Sequence, residues 1–82
     1  MKKILHILKV KDDPSPLKII QKQAETNAVT VVLIQDAGEL KVDLKGVTVW
    51  KLAEEGVAPS GPTLGYKELL DEIFKADMVV TW

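Results

Sequence analysis

Apolar residues along this chain cluster in short runs whose spacing switches between a helical and an extended period. The clearest run is Val29 to Gly38, reading Val-Thr-Val-Val-Leu-Ile-Gln-Asp-Ala-Gly, where near-continuous apolar sequence stops at polar residues and a glycine. A run of that kind predicts a strand covered on both faces as it leaves a parallel sheet. Residues 3–9, Lys-Ile-Leu-His-Ile-Leu-Lys, predict a second buried strand that ends at the polar turn Lys11-Asp12-Asp13-Pro14. Between the two strands, Ser15 is the expected cap of a helix with Pro16 at its first position, where a missing N–H has no intrahelical role. Asp12 and Asp13 suit the positive end of its dipole. Leu17, Ile20 and Ala24 share one face of that helix, which is expected to end near Asn27 and to complete a right-handed β-α-β unit.

Leu40, Val42 and Leu44 alternate with Glu39, Lys41, Asp43 and Lys45, which is strand periodicity or an extended crossover lying on the sheet. The short distance from Gln35 to Val47 leaves little room for the usual crossover helix. Residues 47–51, Val-Thr-Val-Trp-Lys, give the next strand. Leu52 to Glu55 predict one helical turn, capped by Gly56. The Gly/Pro-rich stretch from Gly56 to Gly65 is the longest irregular segment. Thr63 is a candidate cap for a last helix, in which Tyr66, Leu69, Leu70, Ile73 and Phe74 recur at the spacing of a wide apolar face. On that spacing Phe74 is expected to lie buried on the sheet. Met78 to Trp82 read as a final strand. The pattern predicts one α/β domain over residues 1–82, a small three-layer fold with a mostly parallel sheet of about four to five strands.

Eleven basic and twelve acidic residues are scattered in sign, giving a net charge of −1 and no basic stripe. Direct nucleic-acid binding is therefore disfavoured. The apolar stretch from Ile4 to Leu8 is too short for a signal sequence, and no run approaches a membrane span, so a cytoplasmic, non-membrane protein is expected. The sequence contains no cysteine and one histidine, His6. That composition cannot supply the usual ligand set of a zinc site, so no metal and no cofactor are expected.

His6 titrates near neutral pH and could act as an acid or base, although a hydrogen-bonded core histidine is the plainer reading. Neither Ser15 nor Ser60 lies in a G-x-S-x-G turn, which argues against a Ser-His-Asp triad. The Gly56 to Thr63 stretch has phosphate-loop glycine spacing, but Pro62 stands where such a loop needs lysine. What remains there is backbone N–H groups near Thr63 that could hold a small anion. Gln35, Asp36 and Gly38 close a strand at the end of the sheet where α/β proteins usually place ligands and partners, and they serve equally well as turn formers. Trp50 and Trp82 are either core side chains or interface anchors, with Trp82 the better interface candidate.

Several of these segments together resemble the DsrH/TusB family of sulfur-relay proteins, within the DsrE/DsrF/DsrH-like fold group. They are Leu5-His6-Ile7-Leu8, Leu33-Ile34-Gln35-Asp36 with Gly38, Val47 to Lys51, Glu55-Gly56-Val57, Tyr66 to Leu70 and the final Trp82. The resemblance implies a small parallel α/β domain that joins cysteine-bearing DsrE/DsrF-like sister subunits, or itself, in an oligomer. It further implies a part in passing persulfide sulfur, toward tRNA wobble-uridine 2-thiolation or in sulfur oxidation. Sulfane transfer needs a thiolate, so a chain without cysteine is expected to be a non-catalytic subunit. The competing expectation is a stand-alone small-molecule or anion-binding domain. The expected contact residues are Gln35, Asp36, Gly38, His6 and Trp82, within an assembly that uses the 36–45 segment or the last strand.

Overall fold

A computed structural model describes residues 2–9, 14–34, 44–52 and 63–82. Its elements in chain order are β1 (Lys3–Leu8), α1 (Ser15–Gln23), β2 (Ala28–Leu33), β3 (Val47–Leu52), β4 (Thr63–Leu64), α2 (Tyr66–Lys75) and β5 (Met78–Thr81). All five strands run parallel in one sheet of order β4-β3-β2-β1-β5. The α/β class and parallel sheet expected from the apolar runs are present. Among the described residues, no helix is long and apolar enough to cross a membrane.

The order explains where the helices must lie. From β1 to β4 the chain steps steadily toward one edge, and then β5 returns to the opposite edge beside β1. Right-handed crossovers in opposite directions put their helices on opposite faces. Alternation along β1 supplies apolar side chains to both faces. Ile4 and Leu8 join Val29, Val31 and Leu33 beneath α1, with Ile20 fully buried and Leu17 and Ala24 packed alongside. Leu5 and Ile7 join Val32 and Leu64 beneath α2, against Leu69, Ile73 and Ala76. The result is three layers with the sheet in the middle.

Several sequence expectations are corrected. Ser15 does not cap α1: the cap position is Pro14, in a helical conformation and without a side-chain cap hydrogen bond, and Ser15 is the first helical residue. The helix stops at Gln23, and residues 24–26 continue as turns in which the Asn27 N–H still bonds the Gln23 carbonyl at 2.9 Å. The near-continuation of the ladder is why the sequence reads as helical to Asn27. Thr63 caps no helix; it pairs with Lys51 in β4, and Leu52 pairs with Leu64 in the sheet rather than starting a helical turn. Two residues of strand carry too little periodicity to be read from sequence. At the start of α2, Gly65 takes the cap position in an extended conformation. The Glu68 carboxylate folds back over it so closely that a Cβ at residue 65 would meet Glu68 Oε2 at 2.8 Å.

The largest correction concerns α2. Leu69 and Ile73 face the sheet, but Phe74 is 84% exposed, Tyr66 66% and Leu70 54%. The apolar arc of this helix is wider than the strip of sheet it covers. At 100° per residue, Tyr66, Leu70 and Phe74 form a row beside the partly buried Leu69–Ile73 row. Glu68 and Glu72 border the opposite flank, where they line a cleft of about 270 Å³ with Trp50, Thr63 and Leu64. The helix starts at Tyr66, two residues beyond Leu64 of β4, and crosses the sheet toward β5 at the opposite edge, so of the exposed row only Phe74 nears the β5 side. The predicted strand segment at 39–43 and the helical turn at 53–55 lie outside the described residues.

Candidate functional site

The β1–β5 junction is the topological switch point of the sheet, where strand order reverses and open α/β folds leave a crevice. His6 sits in the middle of β1, between Val31 of β2 and Val80 of β5, and is completely buried on the α1 face. A buried imidazole needs partners for both ring nitrogens. Trp82, which follows β5, donates its indole Nε1–H to His6 Nδ1 at 2.9 Å. On the other side His6 Nε2 lies 2.6 Å from Gln23 Oε1 at the end of α1.

These contacts fix the protonation state. An indole N–H only donates, so Nδ1 must accept and carries no proton. The ring proton therefore resides on Nε2 and is donated to the Gln23 carbonyl oxygen. Burial pushes the His6 pKa below its ordinary value of 6.5, opposed by the Gln23 hydrogen bond. The two rings are nearly coplanar, 19° apart with centroids separated by 6.0 Å, as an in-plane bond requires. No buried side-chain polar atom of the described residues lacks a partner. His6 is thus a neutral linker with both nitrogens committed, joining β1, α1 and the end of β5.

Trp82, expected as an interface anchor, is partly buried and packs against the α1-side core. Its backbone N–H also bonds the Ile7 carbonyl at 2.9 Å. Gln35, Asp36 and Gly38 lie outside the described residues, as does most of the Gly56 to Thr63 loop. Among the described residues no group of three His, Cys, Asp or Glu side chains could hold a metal ion. Gln23 was missed by the sequence reading, although a signal exists. It follows the buried Ile20 by three positions and so borders the apolar face of α1, where a polar side chain implies a buried polar partner.

A second feature is exposed apolar surface. Tyr66, Leu70 and Phe74 are exposed along α2; at the β5 edge Val79, in register with Leu5 on the α2 face, is 39% exposed, and Met78, in register with Ile4 on the α1 face, is 45% exposed. Comparison of the chain with family models, with curated proteins and with solved structures finds no match.

Proposed function

We propose that this chain is a non-catalytic interaction subunit of a sulfur-relay complex, in which persulfide sulfur is carried by a cysteine on a DsrE/DsrF-like sister protein. The observation that carries the reading is the exposed apolar row Tyr66, Leu70 and Phe74 along α2, which the described residues leave uncovered. An exposed apolar row flanked by Lys67, Asp71 and Lys75 supports a protein-binding face. The parallel α/β fold agrees with the resemblance read from the sequence. The absence of cysteine leaves the chain without the thiolate that sulfane transfer requires. His6 supports the same assignment, because both its nitrogens are engaged inside the protein rather than presented to a substrate.

The test is affinity purification from the native cell with mass spectrometry of the bound proteins, followed by labelling of the complex with sulfane sulfur. The expected result is a small cysteine-bearing DsrE/DsrF-like protein that takes the label while this chain does not. Recovery of this chain with no such protein overturns the sulfur-relay reading.

A further inference from the structure

Two hydrogen bonds hold His6, and they answer differently to a proton. Gln23 presents its amide oxygen to Nε2 at 2.6 Å, and that oxygen accepts the ring N–H whether the imidazole is neutral or charged. Trp82 presents an N–H to Nδ1 at 2.9 Å, and an indole has no acceptor to offer in its place. The one site for a second ring proton is therefore the lone pair that Trp82 already occupies. A charged His6 would set two N–H groups against each other at hydrogen-bond distance.

We propose that the His6–Trp82 bond is an acid latch: a proton taken from solvent at Nδ1 releases the Trp82 indole from the α1 face, while His6 stays tied to Gln23. The two residues differ in their freedom to respond. His6 is fully buried in the middle of β1, with Val31 on one side and Val80 on the other, so its ring cannot reach water unless the strand moves. Trp82 is partly exposed and lies beyond the end of β5. Its side chain can turn outward about its own bonds while its backbone N–H remains on the Ile7 carbonyl at 2.9 Å. The place it leaves admits water to the new Nδ1–H, which removes the cost of an unpaired buried donor.

No charged side chain competes for this proton. The α1-side core beneath the helix consists of Ile4, Leu8, Ile20, Val29, Val31 and Leu33. On the elements packed against His6, the charged residues are Lys3 of β1 and Lys18 and Lys22 of α1, with Lys2, Lys9, Glu25 and Asp77 just beyond element ends. All seven are exposed, β2 and β5 carry no charge, and the ring bonds only Gln23 and Trp82. Burial holds the titration of His6 below 6.5 against the opposing Gln23 bond, so the latch is shut at neutral pH. Because one proton is taken up per release, the ratio of open to closed latch is expected to rise about tenfold for each pH unit of acidification.

The latch goes beyond the sulfur-relay reading and does not depend on it. Proton–nitrogen NMR of the labelled chain, titrated downward from neutral pH, tests it, with Trp50→Phe used to identify the Trp82 indole resonance. The expected result is loss of the hydrogen-bonded Trp82 indole N–H signal at the midpoint of the His6 ring titration, while the Val29 and Val31 amides of β2 keep their native positions. An indole signal that holds its native position after His6 is protonated overturns the proposal. So does an indole signal lost only together with the Val29 and Val31 amides, because the whole fold and not the latch has then opened.

Discussion

The Trp82 indole N–H donates to Nδ1 of His6 across the β1–β5 junction at 2.9 Å. Because the donor cannot reverse its role, the last residue of this sequence dictates the tautomer of a histidine at the centre of the sheet. Long-range nitrogen–proton NMR at neutral pH is expected to show the Nε2–H form of His6, with Nδ1 at the shift of an unprotonated acceptor.

Stability follows from the same bond. His6 titrates below 6.5 in the folded chain and near 6.5 when unfolded, so the unfolded state takes up the proton first as pH falls. The stabilisation is complete above about pH 6.5 and declines from there toward the lower folded pKa. Trp82→Phe frees Nδ1 to accept a proton and is expected to raise the His6 pKa, which NMR titration of the ring reads directly. An unchanged His6 titration in that variant contradicts the assignment.

Gln23→Ala removes the acceptor of the Nε2–H inside a buried site. The expected cost is about 1–3 kcal/mol, the range for stranding a buried donor. Urea unfolding of the variant against wild type checks it, and a loss near zero would mean that His6 has no need of α1.

Phe74 and Ile20 contrast sharply. In the unassembled chain, Phe74→Ala is expected to shift stability by less than about 0.5 kcal/mol, because the ring is 84% exposed. Ile20 is fully buried in the α1-side core, and Ile20→Ala is expected to cost about 2–5 kcal/mol. Equal effects would refute the orientation of α2.

Gly46 turns the chain into β3 at φ +79°, with no atom within 4 Å of where a Cβ would stand. Gly46→Ala therefore meets only the backbone penalty of the left-handed region, about 1–2 kcal/mol. Thermal unfolding measures it, and a stabilised variant would place Gly46 in an ordinary conformation.

Much of this fold is written in local pattern. The doubly covered strands β1 and β2 announce themselves as apolar runs around Ile7 and Val32, because a parallel sheet buries both faces of its central strands. What periodicity does not carry is the width of the surface a helix covers. Phe74 belongs to the same apolar arc as Ile73, and only the position of α2 over the sheet decides that one is packed and the other exposed. The His6–Trp82 bond joins residues 76 positions apart and depends on β5 lying beside β1, which pattern alone cannot supply. Gln23 was overlooked for a related reason: a polar residue bordering a helix face shows its purpose only when the buried histidine opposite it is known.

The central claim is that the exposed row of α2, Tyr66, Leu70 and Phe74, is the face through which this chain binds its partner, and affinity purification with Phe74→Lys tests it most directly. The variant is expected to keep the wild-type circular dichroism spectrum and to lose the partner that the wild type recovers. A folded variant that recovers the partner as well as wild type would contradict the claim.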